Sequence, residues 1–198
     1  MKKFLILAVM MLTTMTVSAQ MRAGSWAVMP NAGFNLAKIT DLDDASMKVG
    51  LVAGADLSYQ VNEPLAVSVG LLYSMQGAKD KYKLMGQSFN IKYNTDYINI
   101  PIVAHFYVTR GLAIKAGIQP ALNVKHKVKS EADGTTTESS IDDFKNFDFS
   151  IPLGVSYEIS NFVIDARYNL GVTKLWDATG SSSKNSVFQF TLGYKIHS

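Results

Sequence analysis

From Trp26 to Ile196 the chain alternates in about eight segments, each with an apolar side chain at every second position and no charge among those positions. A period of two is the signature of a strand with two unlike faces. Val49, Leu51, Ala53, Ala55, Leu57 and Tyr59 form one such series. Leu65, Val67, Val69, Leu71, Tyr73 and Met75 form the next, and series through Ile98–Val108, Leu112–Leu122, Phe147–Tyr157, Phe162–Val172 and Phe188–Ile196 follow. The first runs from Trp26 through Val28, Ala32 and Phe34 to Leu36, with Pro30 in it. Each run meets the ~9–11 residues that a tilted strand needs to cross a bilayer.

The opposite face decides which side meets water. It carries Gly33, Gly50, Gly54, Ala66, Gly70, Gly117, Ala121, Gly154, Gly171 and Gly193. An eight-stranded barrel has an interior just wide enough for side chains to fill, so small residues belong inside and bulky ones outside. A soluble barrel with Leu, Phe and Ile at nearly every inward position would be overfilled. The bulky face therefore meets lipid, where a charge would cost about 2–4 kcal/mol at the midplane. In lipid an open sheet edge would leave backbone groups unpaired, so the sheet must close. The expected fold is all-β: an eight-stranded antiparallel up-and-down transmembrane β-barrel over residues 20–198.

Residues 1–19 read as a leader. Lys2 and Lys3 precede an apolar core, Phe4 to Leu12, and Val17-Ser18-Ala19 offers the small residues of a cleavage site, with cleavage expected after Ala19. The core is too short for a spanning helix and is followed by Thr13, Thr14 and Thr16. The formal charge is +3, and about +1 without the two leader lysines. A nucleic-acid binder would concentrate basic residues on one face, so nucleic acid is not an expected partner. Cysteine is absent, which excludes disulfides and thiolate metal sites.

The connections alternate too. Asn62-Glu63-Pro64, Thr109-Arg110-Gly111 and Ser160-Asn161 are short. The stretches around Asp41–Ser46, Gly77–Asn90, Lys127–Asn146 and Asp177–Lys184 are longer and polar. Bacterial outer-membrane barrels have short periplasmic turns and long outer loops, which predicts periplasmic termini and long loops on the cell exterior. Aromatic residues cluster toward strand ends, as a belt at the two interfaces would require. Tyr59, Tyr107, Tyr157, Phe162 and Tyr194 are expected at the short-turn end, and Tyr73, Tyr97, Phe147, Trp176 and Phe188 at the other. Pro101, Pro120 and Pro152 each remove a ladder hydrogen bond and predict bulges or rim positions.

The inward face also carries Asp56, Lys115, Asp148, Glu158, Asp165, Arg167 and Lys195, with His105, Asn99, Asn123, Asn169 and Gln189. Unpaired charges in a narrow lumen are costly, so these residues are expected to pair as a structural polar network. Asp165 and Arg167, two apart on one strand, are expected to share part of it. The histidines are His105, His126 and His197. Catalysis needs a nucleophile and a base within hydrogen-bond reach, and the best placed set, His126 near Ser130 and Glu131, does not establish one. No histidine pair has ligand spacing for a metal. The expectation is a non-enzyme without catalytic residues, metal or cofactor.

Five stretches carry a family resemblance: Gly70-Leu71-Leu72-Tyr73-Ser74-Met75-Gln76-Gly77, Tyr97-Ile98-Asn99-Ile100-Pro101, Ala116-Gly117-Ile118-Gln119-Pro120, Asp165-Ala166-Arg167-Tyr168-Asn169-Leu170-Gly171, and Lys184 to Lys195. On these the chain resembles the Bacteroidetes outer-membrane β-barrel family known as PorT-like. The resemblance implies an outer-membrane barrel with lipid and the barrel-insertion machinery as partners. Family chains commonly stop on an aromatic residue, whereas this sequence ends Ile196-His197-Ser198, which implies a weaker or shifted insertion signal. Three roles stay open: a structural, assembly or envelope-complex accessory barrel with no open pore and an envelope protein as partner; a surface barrel that binds a partner through its long loops; and a lipid-modifying enzyme.

Overall fold

The computed structural model describes residues 22–40, 46–84, 87–132, 135–140, 146–174 and 183–197. The predicted leader, Trp176 and the centres of the first and seventh connections lie outside these residues. The described strands are β1 (Trp26–Ile39), β2 (Ser46–Asn62), β3 (Leu65–Leu84), β4 (Gln87–Asn99), β5 (Ile102–Tyr107), β6 (Leu112–Ala132), β7 (Thr135–Ser140), β8 (Phe147–Ile159), β9 (Phe162–Gly171), β10 (Asn185–Tyr194) and β11 (Ile196–His197).

They build eight staves. β4 and β5 are one stave broken at Ile100 and Pro101, and β10 and β11 are another broken at Lys195. β7 is a returning arm on the far end of β6. Neighbouring staves run antiparallel, and β10 pairs with β1 from Asn31↔Gly193 to Ile39↔Asn185. The sheet therefore closes, and no barrel stave keeps a free edge in the membrane.

The two faces separate as the alternation requires. Leu71 is 61% exposed and Ile114 53%, whereas their inward neighbours Leu72 and Ala113 are both at 0%. The tight turns lie at residues 63–64, 108–111 and 160–161, with Gly111 supplying a φ of 89°. Ring pairs across neighbouring strands line the outer face. Phe162 meets Tyr194 at 5.3 Å and Trp26 meets Tyr59 at 4.7 Å at the short-turn end, and Tyr168 meets Phe188 at 4.4 Å toward the other.

Three expectations need correction. Tyr97 and Tyr107 do not belong to the interfacial belt; they are 1% and 6% exposed and lie in the lumen. Their parity opposes that of Ile98 and Phe106, and inward placement follows from alternation alone. The prolines are not at the rims. Pro101 interrupts its stave in mid-barrel, and Pro152 pairs with Asn169 on β9 but lies in a gap of the β6–β8 ladder between Ala116↔Leu153 and Gln119↔Ser150. Pro120, by contrast, pairs with Phe149 in an unbroken stretch of the β6–β8 ladder, so the missing N–H breaks a ladder only on the side to which that N–H would have pointed.

The third and fifth connections are not loops for most of their length. β3 and β4 stay paired out to Leu84↔Gln87. β4 follows β6 out to Asn90↔Glu131, and β6 pairs with β7 from Lys127↔Ser140 to Ala132↔Thr135. Four strands thus continue as a sheet beyond the apolar belt on one side of the barrel. Polar residues do not prevent this, because outside lipid a ladder needs only its backbone bonds.

Candidate functional site in the barrel lumen

Alternation sends every second residue of each stave into one narrow space, so residues distant in sequence meet there. The half of the lumen nearest the short turns holds most of the charges. Lys115 on β6 donates to Asp165 on β9, across β8. Arg167 donates from Nε to the other oxygen of Asp165 at 2.8 Å. Lys195 donates to Glu158 on β8, whose same oxygen accepts from Tyr107 at 2.7 Å. Asp56 accepts from Asn31 at 2.7 Å. Each of these charged side chains is at most 6% exposed. Three acids face three bases, which is the balance that burial of charge demands.

His105 lies in the same half. Its Nε2 is 2.8 Å from Ser68 Oγ, a serine–histidine pair that the sequence reading missed although Ser68 has inward parity. The pair lines a cavity of about 10 Å³ together with Asp56, Lys115, Glu158 and Lys195. That volume suits about one water molecule, so a substrate has no room beside the serine. The packing is close elsewhere too: a Cβ added at Gly70 would fall 2.1 Å from Asp56 Oδ1.

The other half of the lumen is built mainly of amides and hydroxyls, with Lys48 donating from Nζ to the Gln76 carbonyl at 2.7 Å. Asn35 donates to Ser74 at 2.8 Å, Gln76 donates to Ser74 at 2.8 Å, Asn185 donates to Gln76 across the lumen, and Asn169 donates to Gln189 at 3.3 Å. Asp148 sits here, apart from the six charges with which the sequence reading grouped it. It accepts from Thr173 and from the Phe149 N–H at 2.8 Å. Both nitrogen and oxygen of Asn99, the Tyr97 hydroxyl and Gln119 Oε1 are buried without a protein partner. Asn99 and Gln119 line a second cavity of about 10 Å³, the kind of polar space that holds an ordered water.

Of the remaining inward candidates, Asn123 is half-buried and its amide nitrogen donates to the Asp96 carbonyl at 3.3 Å, while its Oδ1 lies 3.0 Å from His126 Nδ1. The side chains of Ser130 and Glu131 lie outside the described ones. His197 is exposed on β11. Among the described residues no cluster of three or more His, Asp or Glu could hold a metal ion.

One carboxylate reaches the outer face just past the apolar series. Asp96 stands opposite Met75, is 1% exposed, accepts from the Tyr73 hydroxyl at 2.8 Å and faces Lys125 Nζ at 3.6 Å. Lys125 is 48% exposed. This trio marks the upper border of the lipid-facing belt. Sequence parity could have found it, since Asp96 extends the even series of Ile98 and Ile100.

Comparison with known proteins agrees with this architecture. The family described as "Outer membrane protein beta-barrel domain" matches residues 18–177. Among solved structures the chain is similar to Ail, the attachment invasion locus protein of Yersinia pestis, in complex with the heparin analogue sucrose octasulfate. There the identity is 16% and the TM-score 0.50, over 89% of this chain and 100% of that one. It is also similar to Neisserial surface protein A, at 17% identity and TM-score 0.45 over 86% and 96% of the two chains. OprG from Pseudomonas aeruginosa gives 12% identity and TM-score 0.47 over 92% and 100%. No curated protein matches the chain. At 16% identity the likeness to Ail speaks to the fold alone. The family match covers most of the sequence: the chain belongs to the outer membrane protein beta-barrel domain family, and its place is the outer membrane.

Proposed function

We propose that this member of the outer membrane protein beta-barrel domain family is a non-conducting envelope barrel with a structural or accessory role, rather than a porin or an enzyme. The observation that carries the reading is the filled lumen. Cross-lumen pairs such as Lys115–Asp165, Lys195–Glu158 and Asn185–Gln76 span it at both levels, and an eight-stranded barrel has no spare width for an aqueous path. Purified protein in planar bilayers is expected to give no stepwise current. Regular conductance steps that scale with salt concentration would refute the reading.

A second reading is favoured by the four strands that stay paired past the belt. In it the barrel is a foundation, and the sheet of β3, β4, β6 and β7 meets an envelope or surface partner. Both readings place the termini in the periplasm, the long connections outside and residues 1–19 as a removed leader, and both fit the closer resemblance to the PorT-like Bacteroidetes barrels. The orientation has a direct test because the chain has no cysteine. A single Glu138→Cys variant is expected to react with a membrane-impermeant maleimide on intact cells, and Arg110→Cys only after the outer membrane is opened. The reverse pattern would invert the topology.

A further inference from the structure

The half of the lumen away from the short turns holds a carboxylate that no described cation answers. Asp148 on β8 is 4% exposed and enters none of the ion pairs among the described residues. The hydrogen bonds it accepts, from Thr173 and from the Phe149 N–H, both fall on Oδ1, which leaves Oδ2 to the space beside it. Lys48, also buried in this half, donates to the Gln76 carbonyl and is not part of the wall around that space. Burying a carboxylate without a counter-charge is costly.

The space is the cavity of about 10 Å³ that Asp148 lines together with Asn99, Gln119 and Asn169. The four side chains come from β4, β6, β8 and β9, which are neighbours in the barrel wall, and each is at most 4% exposed. Asn99 Oδ1, Gln119 Oε1 and Asn169 Oδ1 have no hydrogen-bond partner. The Gln119 and Asn169 nitrogens are engaged elsewhere, with Ser150 Oγ at 3.2 Å and Gln189 Oε1 at 3.3 Å. The wall thus offers neutral amide oxygens and one anionic oxygen. Buried acceptors without donors call for a water or an ion. A water has only a pair of hydrogens to give, too few for all of these oxygens, and it leaves the charge of Asp148 in place. A cation faces all of them at once and cancels that charge.

We propose that this cavity holds one alkali cation, sodium or potassium, between the Asp148 carboxylate and the amide oxygens of Asn99, Gln119 and Asn169. The wall selects the class. No histidine or cysteine lines it, so softer metals have no ligand there. Calcium takes ~6–8 oxygen ligands, more than this wall supplies, and magnesium keeps several waters for which there is no room. The volume suits one water-sized sphere, and one carboxylate balances one unit of charge. Such a site leaves no spacing motif, since most of its ligands are neutral amides. The ion is a fixed strut that ties neighbouring staves together inside a non-conducting barrel.

The test uses the full chain folded in phosphatidylcholine vesicles, in sodium, potassium or choline chloride at one ionic strength, with the unfolding midpoint as the readout. The wild-type protein is expected to be more stable in an alkali salt than in choline. Above half-saturation, each tenfold rise in the alkali cation, balanced with choline, should raise the folding constant about tenfold, the mark of one ion bound by the folded state alone. Asp148→Asn keeps the shape, removes the charge and should lose the alkali response. Asp56→Asn, in the other half of the lumen, should keep it. If Asp148→Asn does not fold, the wild type decides: its sodium NMR signal must broaden with the folded chain and not with the unfolded one. Equal wild-type midpoints in all the salts, as a protonated Asp148 or a lone water would give, would overturn the proposal. So would an alkali response that survives in Asp148→Asn, or a stronger response to millimolar calcium than to either alkali salt.

Discussion

Replacing Asp165 by alanine is expected to destabilise the barrel by about 3–5 kcal/mol, the usual result of removing one partner from a buried ion cluster. Asp165 is 1% exposed and holds both Lys115 and Arg167. Without it Lys115 and Arg167 stay buried and lose the carboxylate that both hold. The Arg167→Ala change should be milder, because Asp165 keeps Lys115. The midpoint of denaturant unfolding in vesicles, read as the electrophoretic shift between folded and unfolded forms, measures the effect. Unchanged midpoints for both variants would remove the lumen network from any account of stability. A combined Lys115→Met, Asp165→Leu and Arg167→Met variant should recover much of the loss, since an apolar cluster of similar volume often replaces a buried ion group without penalty.

A charge placed on the outer face should show a dependence on depth. Leu71, 61% exposed, lies in the middle of the β3 series, and Val49, also 61% exposed, lies near its upper end on β2. An arginine at position 71 is expected to cost about 2–4 kcal/mol in a bilayer, and one at position 49 about 0–1 kcal/mol. Their equal exposure makes the comparison clean: a soluble barrel would treat them alike. Equal midpoints for Leu71→Arg and Val49→Arg in vesicles would contradict the placement of the belt.

Most of the fold was legible because parity is a strong signal. The series from Leu65 to Met75 and from Ile98 to Val108 keep their sides throughout, and inward glycines sit where neighbouring strands crowd the interior. Tyr97 and Tyr107 were misplaced when a preference of aromatic rings for interfaces was set above parity. Buried hydroxyls can be held in a lumen by partners such as Glu158, so ring type alone does not choose a side. The reach of β3, β4 and β6 beyond the belt was hidden for another reason. Outside lipid the hydrophobic alternation is no longer enforced, and strand pairing leaves its mark only in register. The site was legible as a set of inward charges. Asp165 and Arg167 meet along one strand, but the pairs between strands were not legible, because Lys115 and Asp165 are joined by stave order and shear, and neither is written in spacing along the chain. Asp148 was grouped with the rest because parity gives the side of a strand but not the height along it.

The seam has a consequence for how the chain is made. Phe34 stacks on Phe190 at 5.3 Å, yet they are separated by roughly 150 positions. Distance along the chain adds little to the cost of closing such a ring, ~0.6 kcal/mol for each doubling, but it sets the order of events and slows them. β1 stays open along one side until β10 has been synthesised and exported. Until then no subset of staves satisfies its backbone in lipid. A barrel that inserts unaided must therefore close as a whole, and insertion stave by stave requires a partner that pairs with the open edge of β1 until β10 arrives.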